Sequence, residues 1–204
     1  KKVGVVDVLV NNAGEGQVGL AEEARLEDVR ALFEAHFFGP VRLVQAFVPG
    51  MRTRGAGVVV SISSMRAEIA TPFSGVYAAA KAALASFTDS LRLEVSRFGV
   101  KVAVVSPFHV KTALPQVPVM RPGSTYAARV RQARANRDRD IARGVEPEAI
   151  AAIVVRIVKA RRSRGWYTAG RGSGLMAFLI KHLPRSLAES ISSRRFDLPA
   201  GHAG

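Results

Sequence analysis

Three short runs of this chain are apolar along their whole length, and a longer stretch patterned for helix separates each from the next. The runs are Val5-Val6-Asp7-Val8-Leu9-Val10, Gly57-Val58-Val59-Val60-Ser61 and residues 100–106, Val-Lys-Val-Ala-Val-Val-Ser. A strand with one face in water alternates apolar and polar residues, whereas a β-branched run that is apolar on both faces has to be covered on both. Over residues 26–51 apolar side chains recur at helical spacing (Val29, Leu32, Phe33, Phe37, Val41, Val44, Phe47, Val48), and Pro40 marks a kink or break. Residues 78–98 form a second long helical stretch crowded with alanine. This order predicts an α/β fold, a doubly wound parallel sheet with helices on both faces.

Beyond the third run, residues 111–124 hold Pro115, Pro118 and Pro122 and read as a loop or lid. Helices are expected over residues 125–143 and 147–162, and a last short strand at Trp166-Tyr167-Thr168. Residues 1–170 are then one domain. Residues 171–204 are a basic and apolar tail expected to pack on it. With 204 residues, 48% of them hydrophobic and 23% charged, the chain can bury a core and is not of disordered composition. It has no cysteine, which excludes disulfides, a thiolate nucleophile and cysteine metal sites, and no metal site is expected. No run reaches the roughly 18 apolar residues of a membrane span. These features fit a cytoplasmic location.

The net charge is +14, unevenly spread: residues 1–120 carry 13 Lys and Arg against 10 Asp and Glu, and residues 121–204 carry 17 against 6. A basic C-terminal part can serve nucleic acid, anionic lipid or an anionic ligand, or be a solvated surface. No helix-turn-helix, zinc or aromatic RNA-binding signature accompanies it, so no nucleic-acid partner is expected. Phe178, Leu179 and Ile180 stand beside Lys181 and Arg185. That leaves open weak peripheral contact with an anionic membrane, against a tail packed on its own domain or across a dimer.

In such sheets ligands bind beyond the carboxyl ends of the strands, here after Val10, Ile62 and Ser106. After the first strand, Gly14-Glu15-Gly16-Gln17-Val18-Gly19 matches the dinucleotide fingerprint G-x-G-x-x-G. The context does not: no helix starts at Gly19, and Glu15 would set a carboxylate among phosphate oxygens. The segment reads as a flexible turn. After the second strand come Ser64, Tyr77 and Lys81. Residues i and i+4 share a helix face, so phenol and ammonium can share a pocket, where the cation would lower the phenol pKa for acid–base work. Ser64 could donate to a carbonyl or alkoxide oxygen. Each residue also has an ordinary structural use: Ser64 as a cap, Tyr77 in the core, Lys81 on a solvated helix face.

Asn11-Asn12-Ala13-Gly14 after a strand, then Ser64, then Tyr77-x-x-x-Lys81, resembles the short-chain dehydrogenase/reductase family, as do Phe37-Phe38-Gly39-Pro40-Val41 and Pro107 with Thr112. The resemblance implies a Rossmann-like sheet that binds NAD or NADP and moves hydride between nicotinamide and a secondary alcohol or ketone. It implies Tyr77 as proton donor or acceptor, Lys81 lowering its pKa and holding the nicotinamide ribose, and Ser64 fixing the substrate oxygen. Asn11, Ala13 and Gly14 would line the adenosine-ribose side, and Pro107, Val110 and Thr112 the nicotinamide side. Phe73, Phe108, the proline-rich stretch and the apolar tail suggest a hydrophobic substrate, and the alanine-rich helix a homodimer or tetramer.

The sequence departs from the family at the front, where strand–helix units with the Gly-rich phosphate turn would precede Asn11. The chain is therefore expected to be an N-terminally truncated three-layer α/β/α sandwich. It is either a fragment of an active reductase or a non-catalytic relative acting as a binding or scaffold protein. Three smaller departures follow. His36 stands where the family usually has an Asn linked through water to the lysine, and either relays a proton or replaces it in packing. Phe108 follows Pro107 where Gly is usual, and Ala67 stands where Gly is common.

Overall fold

The computed structural model describes residues 4–119, 121–170 and 172–182, and beyond these Pro184, Ser186, Leu187, Ser190, Ser193 and Phe196. The apolar runs form strands of one parallel sheet. In chain order the elements are β1 (Val8–Asn11), β2 (Gly16–Gly19), α1 (Leu26–Phe33), α2 (Gly39–Arg54), β3 (Gly57–Ile62), α3 (Gly75–Val95), β4 (Val100–Pro107), β5 (Gln116–Val119), α4 (Ala127–Ala142), α5 (Pro147–Lys159), β6 (Trp166–Ala169) and α6 (Ser173–His182). The main sheet has the order β1-β3-β4-β6, all neighbours parallel, with Val8 opposite Val58, Val58 opposite Lys101 and Val104 opposite Trp166.

Successive residues of a strand face opposite sides, and here the two sides enter different cores. Val59, Val100 and Val102 pack with Val44, Val48, Met51, Leu91 and Val95 of α2 and α3. Val58, Val60, Ile62, Ala103 and Val105 pack with Ile157 and its neighbours on α5. Helices therefore cover both faces, as the continuous apolar runs require. At the edge, β1 leaves Val8 and Val10 exposed. Lys101, the one charge inside the third run, reaches past the sheet edge and donates to the carbonyls of Val158 and Ala160, both at 2.7 Å, closing the C-terminus of α5.

Two expectations are corrected. The segment Gly16–Gly19 is not a flexible turn but strand β2, paired in parallel with β5 from the proline-rich stretch read as a loop. Gln17 and Val18 explain it: both are buried, and Val18 packs on Phe73, Val130 and Ala133 in a third core. The long helix from residue 26 is likewise interrupted before Pro40, by a five-residue π turn over Glu34–Phe38, and Pro40 sits in the first turn of α2 where its missing N–H costs nothing.

Of the tail, α6 presents Leu175 and Phe178 largely exposed. Arg185, with the side chains of Ile180 and Lys181, lies outside the described residues. Among the described residues no helix is long and apolar enough to cross a membrane.

Candidate active site

The carboxyl ends of β1, β3 and β4 open into a cavity of about 740 Å³. Ser64, Tyr77, Lys81 and His36 all line it. Ser64 follows β3 and caps a single 3-10 turn, its Oγ accepting from the Arg66 N–H at 3.2 Å. The Ser64 side chain lies beside the Tyr77 phenol, near enough to pull its pKa down. Helix α3 is held to the end of β3 by reciprocal bonds. Ser63 Oγ donates to the Lys81 carbonyl at 3.0 Å, and Lys81 Nζ donates to the Ile62 carbonyl at 2.8 Å. A further buried link runs from Thr88 on α3 to Ser61 at 2.9 Å and on to Asn11 at 3.4 Å. The sequence-expected trio is thus brought together by strand end and helix start.

Its electrostatics differ from expectation. Lys81 is 4% exposed, and burial lowers its pKa to about 8. Its ammonium lies 5.9 Å from the centre of the Tyr77 ring and is committed to a backbone carbonyl. Tyr77 is pushed up, not down: burial dominates, opposed by the Arg66 guanidinium, by Ser64 and by the Arg137 guanidinium. The cations that ease formation of phenolate are therefore two arginines. Arg66 lies two residues beyond Ser64, bound through Nη1 to Ser74 Oγ at 2.8 Å, and Arg137 lies on α4. Sequence reasoning missed both. Arg66 was within reach of the Ser64 signal, while Arg137 was hidden among the many arginines of the basic half.

His36 is 2% exposed, placed by the π turn, a bulge that redirects side chains often used in function. Its Nε2 lies 2.7 Å from the Glu15 carbonyl and 3.2 Å from the Glu15 N–H. The closer contact makes Nε2 the donor, which leaves Nδ1 a bare, buried acceptor without a partner among the described residues. Burial, then the Lys81 charge, lower its pKa to about 4, so the ring is neutral at physiological pH.

Of the residues that the resemblance assigned to cofactor, Gly14, Pro107, Val110 and Thr112 line the cavity. Asn11 does not: its side chain turns into the sheet toward Ser61. Ala13 is exposed and outside the lining, and Asn12, which was not singled out, lies in it.

The model of the short chain dehydrogenase family matches residues 1–118. The chain belongs to the short-chain dehydrogenase family. It is 34% identical over 194 residues to dehydrogenase/reductase SDR family member 7B of Danio rerio, covering 95% of this chain and 60% of that protein's length. A short-chain dehydrogenase from Streptomyces avermitilis superposes with a TM-score of 0.76 at 34% identity, covering 95% of this chain and 71% of that one. A gluconate 5-dehydrogenase from Burkholderia cenocepacia, solved with NADP and tartrate, shares the fold at TM-score 0.69 and 23% identity, over 85% of this chain and 67% of that one. Nicotinamide dinucleotides are thus bound by structural neighbours of this chain.

Proposed function

We propose that the chain interconverts a secondary alcohol and its ketone with NAD or NADP, using Tyr77 as general acid and base. The observation that carries this is one cavity wall bearing a serine hydroxyl, a phenol beside it and a buried ammonium one helical turn on. The residues present fit the nicotinamide-ribose end of the cofactor. Lys81 is a cavity-lining cation, His36 Nδ1 is buried without a partner among the described residues, and Pro107, Val110 and Thr112 line the same space. When bound, the nicotinamide supplies or accepts the hydride.

In the reductive direction Ser64 Oγ donates to the substrate carbonyl oxygen and Tyr77 Oη delivers the proton that completes the hydroxyl. With its pKa raised, Tyr77 is fully protonated at neutral pH and ready to donate. The negative charge left on its oxygen faces Arg66 and Arg137, which are already in place. In the oxidative direction Tyr77 must first release its proton to solvent, with Arg66 and Arg137 easing the charge, and the phenolate oxygen then takes the alcohol proton. Lys81, whose ammonium is bonded to the Ile62 carbonyl, would be the residue to hold the ribose hydroxyls. His36 remains neutral and positions the inner edge of the phenol. A homo-oligomer and peripheral membrane contact through Phe178 belong to the same reading and wait on solution measurements.

A second reading, a binding relative without catalysis, is favoured by one feature: the glycine-rich segment is a strand, leading into a 3-10 turn and not into an α-helix N-terminus that could face a pyrophosphate. The test is NAD(P)H oxidation by the full-length gene product across a ketone panel, with nucleotide titration alongside. Turnover that falls at least 100-fold in Tyr77→Phe supports the enzyme. Nucleotide binding without turnover supports the second reading, and turnover that survives Tyr77→Phe overturns the mechanism.

A further inference from the structure

Arg66 and Arg137 come from different elements, both line the cavity, and both act on the Tyr77 phenol. Placing two like charges beside one half-buried space costs energy: Arg137 is held below the ordinary guanidinium range by burial and by the charges of Arg66 and Arg134. Among the described residues, the carboxylate paired with Arg137 is its chain neighbour Asp138, at 3.4 Å and 70% exposed, which neutralises little. Beside them stands Gln17, 2% exposed. Its Oε1 accepts from the Tyr77 N–H at 3.2 Å, which turns its NH₂ away from the helix, and that Nε2 is buried with no partner among the described residues. Of the buried groups without partners among the described residues that line the cavity, Gln116 Oε1 and His36 Nδ1 accept and the Gln17 amide donates, so the donor for an anion stands with the two guanidiniums.

A buried donor left unsatisfied is costly, and an anion here would satisfy the Gln17 amide while meeting both guanidiniums. The neighbouring wall is of another kind: Ile141 on α4 with Ile150 and Val154 on α5. We propose that Arg66, Arg137 and the Gln17 amide form an anion-recognition subsite for a carboxylate carried by the substrate, whose hydrocarbon body lies against Ile141, Ile150 and Val154. Resting on the reading of Tyr77 as acid and base, this narrows the substrate class to oxo acids and hydroxy acids, with the carboxylate a few carbons from the reacting centre. The guanidiniums then do two things: they bind the substrate anion and they ease the charge that forms on the phenol.

The probes are 5-oxohexanoate and its methyl ester, which share the carbonyl and differ by the charge. Calorimetric binding to the full-length protein is expected to favour the acid at least 10-fold at low salt, and the preference is expected to shrink at 0.5 M NaCl. In Arg137→Gln the acid-to-ester ratio is expected to fall to about 2 or less, and Arg137→Lys to recover part of it. Arg66→Gln gives the same readout from a different element, with circular dichroism showing that each variant is folded. Equal binding of acid and ester, or a ratio unchanged in both Gln variants, overturns the proposal. So does inorganic pyrophosphate binding that depends on Arg137 while the oxo acid does not bind, since the cations would then serve the nucleotide. A charge-dependent binding preference without Tyr77-dependent turnover leaves the subsite standing and sinks the reaction.

Discussion

The imidazole of His36 stands edge-on to the phenol of Tyr77, ring centroids 5.5 Å apart and planes at 85°. The ring cannot move toward the loop, because its Nε2 is bonded to the Glu15 backbone and Gly14 lies against its other edge. The phenol is thus braced from one side by a neutral aromatic ring, with Ser64 beside it. Such bracing fixes the oxygen that transfers the proton, and small displacements of a reacting group are costly in rate.

Gly14 is required at its position. A β-carbon there would collide with His36 Cε1 and come within 2.7 Å of Nδ1. Gly14→Ala is expected to destabilise the fold by about 1–3 kcal/mol, the usual cost of overpacking. His36→Ala opens the space, so the double variant is expected to recover part of the loss. A double-mutant cycle by urea denaturation measures it: a coupling near zero would show that the two residues do not meet.

His36 also carries a pH signature. Its folded pKa, about 4, lies below the ordinary 6.5. A depressed pKa contributes stability that is complete above pH 6.5 and is lost as pH falls through 4, where the folded state resists the proton that the unfolded chain accepts. His36→Asn cannot be protonated in this range. The stability gap between the two proteins is therefore expected to shift in favour of the variant from pH 6.5 down to 4, read from denaturant midpoints. A gap that does not change with pH rules this out.

How much of this was legible in the sequence follows from the range of the interactions. Val58 to Ile62 and Val100 to Val105 announced themselves because burial on both faces leaves few polar positions, here Ser61 and Lys101. Ser64, Tyr77 and Lys81 were legible because a strand end and one helix turn fix their spacing locally. Strand β2 was not, since Gly16–Gly19 pairs only with residues 116–119, a hundred positions away, and pairing overrode a glycine-rich composition. Nor was the direction of the Tyr77 shift, because burial sets it, and burial of the phenol arises only when the elements around α3 assemble.

Lys101, the charge inside an otherwise apolar strand, is a helix cap. Its ammonium meets the Val158 and Ala160 carbonyls at 2.7 Å each and that of Ile157 at 3.3 Å. Charge-assisted bonds to a helix C-terminus contribute about 1–2 kcal/mol in partly buried geometry. Lys101→Met keeps the stem and removes the donor, and is expected to lose about that much. Hydrogen exchange in the last turn of α5 should quicken while the sheet stays protected. Unchanged exchange there would mean that the cap contributes nothing.

Lys81 sets stability against function. Burial lowers its pKa from 10.5 to about 8, and at about 1.4 kcal/mol per unit this charge costs the fold on the order of 3 kcal/mol below pH 8. Lys81→Met fills similar volume without the charge and gives up the bond to the Ile62 carbonyl, a loss of about 1–2 kcal/mol. Charge burial is the larger effect, so the variant is expected to be about 1–2 kcal/mol more stable at pH 7 while losing turnover. Because the folded pKa lies below the unfolded one, the burden of the native lysine lifts as pH rises from 8 to 10.5. The advantage of methionine should shrink across that window and reverse above it, where only the lost hydrogen bond remains. Thermal melts of both proteins at pH 7, 9 and 10.5 decide the matter: a variant less stable at pH 7, or a difference that stays level with pH, would mean that the Lys81 ammonium is not a buried charge.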